Sequence, residues 1–160
     1  MKRNSIIIIL NNIRSTLNVG AIFRTADAVL AEEVIISGIT ATPEHSKVAK
    51  TALGAENMVP WIQLKDITDA VERVRKKGYT LVALEIDKSA KCLWEADLSN
   101  NIAILIGNEV DGISQELLDM CNQVVKIPML GQKESLNVAT ALGIVAYESL
   151  HQHMIAKKQH

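Results

Sequence analysis

Short apolar runs, rich in β-branched residues and bounded by turn residues, alternate along the chain with segments of helical periodicity. The runs predict strands at 5–10, 33–37, 79–86, 102–106 and 123–128, with a weaker strand near 57–62. The clearest helix follows the first strand, where six apolar residues share one face at 3.6 residues per turn: Val19, Ile22, Phe23, Ala26, Val29 and Leu30. Further helices are predicted at about 44–53, 66–77, 114–121 and 135–155. This alternation predicts one α/β domain, 1–160, with a mostly parallel sheet covered by helices on both faces.

The polar residues become informative when they are placed on this sheet. Ligands of open parallel sheets bind beyond the carboxyl ends of the strands. Three segments that leave such ends carry unusual chemistry, at 11–18, 107–112 and 129–135. Because they are expected to emerge at one edge of the sheet, their side chains can meet there.

The first segment leads into the helix that carries Arg24. Asn18 is expected to cap this helix. Gly20 lies one turn before Arg24 on the same face, and we expect it to leave the helix start open to a phosphate that Arg24 can reach. The alternative is an ordinary capped helix with a solvated arginine, paired to Asp27.

The other two segments also allow two interpretations. Gly107 would let a ligand lie close to the backbone, but a plain strand–turn–helix connection capped by Ser114 fits as well. Ser135 is expected to cap the last helix. Asn137 then falls in its first turn, either as a polar group at the rim of a site or as part of the cap.

The last helix is apolar nearly all round and rich in small residues, which are Ala139, Ala141, Gly143 and Ala146. Such a helix should be buried on more than one side. A second subunit would provide that burial, and so would a fully buried position inside a monomer.

Composition and charge narrow the class of protein. The 160 residues are 48% hydrophobic with a net charge of −1, which describes a globular protein and not a polycation. RNA binding would therefore need a local basic patch or an oligomeric surface. Aromatic residues make up only 3% of the chain, which argues against a base-stacking sheet.

Location and metal content follow from absent patterns. The apolar run at 5–10 is shorter than the roughly 7–15 residues of a secretory signal, and no stretch approaches the roughly 20 residues of a membrane span. Cys92 and Cys121 lack metal-type spacing, so we expect reduced thiols. These observations predict a cytoplasmic protein with no membrane segment and no metal.

Taken together, the three segments resemble, in order and spacing, the three motifs of the SpoU (TrmH-like) branch of the SPOUT RNA methyltransferases. The resemblance covers nearly the whole chain, including 50–56 and 59–61 between the first two motifs. It implies a deep C-terminal trefoil knot, a homodimer with its site near the subunit boundary, and S-adenosylmethionine as cofactor. Departures at Val110, Asp111 and Ala139 bear on substrate choice.

The resemblance also implies the site residues. Cofactor contacts are expected at backbone groups of Gly107, Ile127 and Leu136, with Leu84, Glu85 and Met129 as neighbours. The functional polar residues map onto Asn18, Arg24, Glu109, Ser135 and Asn137. The family assigns Arg24 to activation of the hydroxyl, and a charged guanidinium that stabilises the emerging alkoxide is physically easier than a neutral base.

The implied activity is methylation of a ribose 2′-hydroxyl in RNA, with transfer RNA expected ahead of ribosomal RNA. Two alternatives remain open. One is a methyltransferase of the same fold that modifies a base nitrogen. The other is a non-catalytic module that binds RNA or a nucleotide.

Overall fold

A computed structural model describes residues 3–158 and contains one seven-stranded sheet with helices on both faces. The strands are β1 (Asn4–Asn11), β2 (Ala31–Ser37), β3 (Trp61–Leu64), β4 (Thr80–Leu84), β5 (Lys91–Cys92), β6 (Ile102–Ile106) and β7 (Gln123–Lys126). The α-helices are α1 (Thr16–Ala28), α2 (Ser46–Ala52), α3 (Ile67–Lys76), α4 (Gln115–Asp119) and α5 (Val138–Lys158). The strand order is β3-β2-β1-β6-β4-β7-β5, and every pairing is parallel.

Strand β1 lies inside the sheet, between β2 and β6, and its side chains are apolar on both faces. Ile6, Ile8 and Leu10 pack with α1, α2 and α5, whereas Ile7 and Ile9 pack with α3 and α4. All five are fully buried. A parallel strand of this kind needs cover on both faces, so the predicted α/β class is confirmed.

The strands differ from the prediction mainly at their ends. Strand β4 stops at Leu84, and the weak strand near 57–62 forms at 61–64. Strand β5 was not predicted, because this two-residue edge strand, which pairs with β7, has no apolar run of its own.

Two helix caps were assigned to the wrong residues. Ser15, not Asn18, caps α1, because its hydroxyl accepts from the Asn18 backbone N–H at 3.2 Å. Asn137, not Ser135, caps α5, with its Oδ1 accepting from the Ala139 N–H at 2.9 Å. The segment before α1 is therefore shorter than expected, whereas the segment before α5 is longer.

Gly20 does not open the start of α1. A Cβ atom there would lie 1.9 Å from Thr51 Oγ1 and 2.7 Å from the Val48 carbonyl oxygen. Gly20 is therefore the point where α1 and α2 touch, and its role is helix packing. The phosphate approach expected at this glycine is wrong.

Helix α5 packs on α1 and on the sheet through Leu142, Val145 and Ala146, which are fully buried. On its other side Tyr147 and Met154 are 53% and 54% exposed. Burial within one chain thus accounts for only part of its apolar surface. None of the helices in residues 3–158 combines the length and apolar character of a membrane span.

Candidate functional site

A cavity of about 330 Å³ opens at the carboxyl edge of the sheet, between the segments that follow β4, β6 and β7 and the start of α5. All six residues expected near a cofactor line it: Leu84, Glu85, Gly107, Ile127, Met129 and Leu136. Three of the predicted polar residues line it as well: Glu109, Ser135 and Asn137. The edge of the sheet chosen from strand direction is therefore the edge that holds the cavity.

A chain of hydrogen bonds joins three of the predicted polar side chains across the rim of this cavity. Asn18 Nδ2 donates to Glu109 Oε1 at 3.1 Å. Asn137 Nδ2 donates to Asn18 Oδ1 at 3.0 Å. Residues 18, 109 and 137 come from three different segments, so the meeting of three carboxyl ends places them together. The bonds also fix the orientation of both amides.

Glu109 is held by backbone N–H groups, and within residues 3–158 no salt bridge involves it. Its Oε2 accepts from the Arg14 N–H at 2.8 Å, and its Oε1 accepts from the Ser15 N–H at 3.0 Å. Partial burial opposes ionisation, but these backbone hydrogen bonds and the Asn18 amide together hold the pKa of Glu109 below its usual range. The group is an ionised acceptor at neutral pH.

Glu85 lines the cavity, yet both of its oxygens are engaged by the protein. Oε2 accepts from the Ile113 N–H at 2.9 Å, and Oε1 accepts from the Ile86 N–H at 2.8 Å. The carboxylate thus fastens the segment after β6 to the end of β4.

Arg24 is not brought to the cavity. It is exposed on α1 and does not line the site. No salt bridge within residues 3–158 involves it, so the alternative pairing with Asp27 is also not formed. Of the five predicted polar residues, four gather around the cavity and Arg24 stays apart.

Sequence reasoning missed Asn12 and Asn108, which join two of the segments at the rim. Asn108 Nδ2 donates to the Asn12 carbonyl at 2.9 Å. Asn12 adopts a positive φ of 57°, a conformation that asparagine tolerates better than most residues. An asparagine at a strand end was the signal available, but nothing in the sequence indicates its partner.

The site offers amides, hydroxyl and carboxylate groups and no metal centre. Among the residues that the structure describes, no group of three or more His, Cys, Asp or Glu side chains is arranged to hold a metal ion. The groups around the ligand-sized cavity, which include Glu109, Ser135 and Asn137, can donate and accept hydrogen bonds.

A parallel α/β sheet with such a cavity at its carboxyl edge defines a ligand-binding α/β protein. Comparison with known protein families identifies the family to which this chain belongs. The chain belongs to the SpoU rRNA Methylase family, whose sequence profile matches residues 5–147.

Individual relatives agree with this membership. A protein of Xanthomonas axonopodis named 23S rRNA (guanosine-2′-O-)-methyltransferase RlmB is 30% identical over 150 residues, which are 94% of this chain and 60% of that protein. The chain therefore spans about three fifths of the length of this relative.

Solved structures share the fold. The SpoU methyltransferase AviRb from Streptomyces viridochromogenes, in complex with the cofactor AdoMet, superposes with a TM-score of 0.85 at 28% identity, covering 97% of this chain and 63% of that one. The TrmH/SpoU tRNA modifying enzyme of A. aeolicus superposes with a TM-score of 0.88 at 25% identity, covering 98% of this chain and 79% of that one.

Proposed function

We propose that this chain transfers a methyl group from S-adenosylmethionine to a ribose 2′-hydroxyl of RNA. The observation that carries the proposal is the hydrogen-bonded chain of Asn18, Glu109 and Asn137 at the rim of the cavity. The chain that contains these residues is a member of the SpoU rRNA Methylase family, and a relative is named as a guanosine 2′-O-methyltransferase.

The lining of the cavity fits S-adenosylmethionine. In the described part of the chain, no backbone–backbone hydrogen bond involves residues 129–136, so their N–H and C=O groups are available to a ligand. Leu84, Ile127 and Leu136 supply apolar surface beside them. The cofactor, when bound, supplies a methyl group on a positively charged sulfur. We assign its contacts to the backbone of Gly107, Ile127 and Leu136, with Leu84, Glu85 and Met129 as neighbours.

The amides at the rim retain hydrogen-bonding capacity for a nucleotide. Asn18 uses one N–H and one lone pair, which leaves a second N–H and a second lone pair for a ribose hydroxyl. Asn137 keeps one N–H beyond its bond to Asn18. We assign Asn18 to the ribose, and Ser135 and Asn137 to orienting the target nucleotide. Glu109, as an ionised acceptor, holds Asn18.

We assign Arg24 to electrostatic stabilisation of the developing alkoxide, delivered from a second copy of the chain. Its exposed position on α1 fits this role better than a role within its own chain. The copies would meet through α1 and α5, where Leu17, Tyr147 and Met154 are 60%, 53% and 54% exposed. A homodimer of this kind completes the site.

Mixing two inactive variants tests this arrangement. We expect Arg24→Ala and Asn18→Ala to be inactive dimers, whereas a refolded equal mixture recovers about a quarter of wild-type activity, because half the dimers are mixed and each holds one intact site. No recovery, with heterodimers present by mass spectrometry, would show that Arg24 acts within its own subunit. Sedimentation of Tyr147→Glu tests the dimer itself, with a shift to monomer expected.

We further propose that the C-terminal segment forms the trefoil knot that the resemblance implies. Hydrogen bonds between α5 and the segment that follows β5 support it. Ser149 Oγ donates to the Leu98 carbonyl at 3.0 Å, and Gln152 Nε2 donates to the Ala96 carbonyl at 3.1 Å. An experimental chain trace that reduces to an unknotted path would contradict this proposal.

The substrate class and location complete the proposal. We assign structured RNA, with transfer RNA ahead of ribosomal RNA, although the names of the relatives include both. We assign the protein to the cytoplasm, where its two free cysteines, Cys92 and Cys121, would stay reduced.

One assay on total RNA from a strain that lacks the gene decides between the candidate functions. We expect transfer of a labelled methyl group, and resistance of the adjacent phosphodiester to alkali, since a 2′-O-methyl group removes the attacking hydroxyl. A methylated base with normal alkaline cleavage would favour the base-nitrogen enzyme. No binding of S-adenosylhomocysteine by calorimetry would favour the non-catalytic module. Separation of the labelled RNA by size distinguishes transfer from ribosomal RNA.

A further inference from the structure

We propose that Asn108 is a positioning residue, which holds the turn of residues 108–112 so that the Glu109 carboxylate reaches Asn18. The catalytic consequence rests on the proposed function, whereas the structural consequence can be measured without it. Asn108 is half-buried, and nothing assigned to the site so far depends on its side chain.

The turn is organised around Asn108. Its Oδ1 accepts from the N–H groups of Val110 at 2.8 Å and Asp111 at 3.0 Å. Its own carbonyl accepts from the Gly112 N–H at 2.9 Å, and Gly112 has a positive φ of 67° that suits glycine. One residue thus satisfies three backbone donors, and the carboxylate of Glu109 projects from a turn of fixed shape.

The same side chain ties this turn to the segment after β1. Asn108 Nδ2 donates to the Asn12 carbonyl at 2.9 Å. Asn12 is itself anchored, because its Oδ1 accepts from the Ile39 N–H at 3.1 Å. Asn108 therefore connects the end of β6 to the ends of β1 and β2.

Two consecutive residues, Asn108 and Glu109, form hydrogen bonds to the same segment, residues 12–15. Asn108 holds the carbonyl of residue 12, and Glu109 holds the N–H groups of Arg14 and Ser15. Without the hydrogen bond from Asn108 to the Asn12 carbonyl, the Glu109 carboxylate would have to fix the turn as well as orient Asn18. The distances from Glu109 to the two backbone N–H groups and to Asn18 would then vary together, and catalysis is sensitive to such displacements.

The position requires an amide. Aspartate keeps the two acceptor bonds inside the turn but replaces the donor with an oxygen that faces the Asn12 carbonyl. Alanine removes both functions. Asn108→Asp therefore removes the link to Asn12 but adds a negative charge beside Glu109, whereas Asn108→Ala removes the whole arrangement and adds no charge. Asn122→Ala is the matched control, since Asn122 Oδ1 accepts from the Leu81 N–H at 2.8 Å before β7, at the opposite edge of the sheet.

The structural readout is an NMR titration of the Arg14 and Ser15 amide protons, which report the ionisation of Glu109. In the wild-type protein we expect a midpoint below the usual glutamate value of about 4.3. In Asn108→Ala, which adds no charge, the backbone bonds to Glu109 loosen, so the midpoint should rise. Asn122→Ala should leave it unchanged. An unchanged midpoint in Asn108→Ala would overturn the proposal.

The catalytic readout is a double-mutant cycle with Glu109→Ala. Asn108→Ala alone should lower kcat about 10-fold. Combined with Glu109→Ala it should lower kcat no further than Glu109→Ala does alone, because Asn108 acts through Glu109. Two independent, multiplying losses would contradict the positioning role. If wild-type protein transfers no methyl group to any RNA, the proposed function has failed, and the titration still judges the role of Asn108.

Discussion

Two polar networks lie at opposite edges of the same sheet and are built differently. The rim network, at the carboxyl edge, consists of Asn18, Glu109 and Asn137. The basal network, at the amino edge, consists of five residues from the start of β2 and the end of α3 with the segment after it: Glu32, Glu33, Arg73, Lys77 and Tyr79.

In the basal network every carboxylate is matched by a donor of its own. Glu33 is 5% exposed and accepts from Arg73 Nη2 at 3.0 Å and from Lys77 Nζ at 2.6 Å. Glu32 accepts from Lys77 Nζ at 2.7 Å and from the Tyr79 hydroxyl. Two carboxylates face two cations, so the charges cancel, and we expect this network to stabilise the fold.

In the part of the chain that the structure describes, the rim network has one carboxylate, no cation and two amides with hydrogen-bonding capacity to spare. Its bonds fix orientation without exhausting the donors and acceptors of Asn18 and Asn137. A closed network confers stability, whereas an open one can bind a substrate. This difference predicts that substitutions at the base change stability and that substitutions at the rim change activity.

The largest expected effect is at Arg24, the cation that we propose a second copy of the chain supplies to the rim. Arg24→Ala should lower kcat on the order of 100-fold or more if charge stabilisation dominates. Its melting temperature should stay near the wild-type value, since Arg24 is exposed. Steady-state kinetics with RNA and calorimetry of unfolding measure both. Activity equal to wild type would refute the assignment.

Arg24→Lys refines the same test. Lysine keeps the charge but loses the planar two-pronged contact. Near-normal turnover would count against a bidentate phosphate contact and leave the charge as the essential property.

The second-largest expected effect is a loss of folding stability when the basal network is changed. Glu33→Gln should lower the free energy of unfolding by about 2 kcal/mol, because Arg73 and Lys77 lose their buried charged acceptor. Denaturant titration measures it. Glu72→Gln is the control: its pair with Lys76 is exposed and should contribute less than about 0.5 kcal/mol. Methyl transfer at 25 °C should be unaffected by either change. A selective loss of activity in Glu33→Gln would contradict the prediction that the basal network affects only stability.

Removal of the rim carboxylate should show the reverse pattern. Glu109→Gln keeps the shape of the side chain but loses one acceptor oxygen, so we expect kcat to fall about 10-fold with little change in stability. Thermal unfolding and single-turnover kinetics on one preparation give both values. A loss of stability equal to that of Glu33→Gln would show that the rim is also structural.

The smallest effect is the pH dependence of stability at the base. Burial, together with the hydrogen bond to Glu32, raises the pKa of Tyr79. A raised pKa contributes stability that is fully present below the unfolded value of about 10 and is lost as pH rises through the folded value. Tyr79→Phe should flatten the decline of the unfolding free energy above pH 10. Tyr147→Phe, outside the network, should leave the decline as it is.

Much of the site was predictable because the direction of the parallel strands restricts where the segments that follow them can lie. Parallel strands end at one edge, so the segments after β1, β6 and β7 had to meet there, and Asn18, Glu109 and Asn137 do. The caps were less predictable. Ser15, Asn18, Ser135 and Asn137 are all good capping residues, and only the path of the backbone around the cavity selects between them.

Gly20 shows the same limit in another form. A glycine in a helix can leave space for a ligand or allow a neighbouring helix to pack closely, and the sequence is compatible with both interpretations. The contact with Thr51 decided it, because α2 comes within 1.9 Å of the place of a Cβ atom. Asn108 was missed for a related reason, since its partner is a carbonyl group 96 residues away.

The sequence alone determined the parallel α/β sheet, the edge that carries the site and the residue types gathered there, because periodicity and strand direction are local properties of the chain. Only the tertiary structure decided which oxygen meets which amide, which residue caps each helix and that Arg24 lies apart from the cavity. Those outcomes depend on contacts between distant segments, whose distances follow from packing and cannot be read from a local pattern.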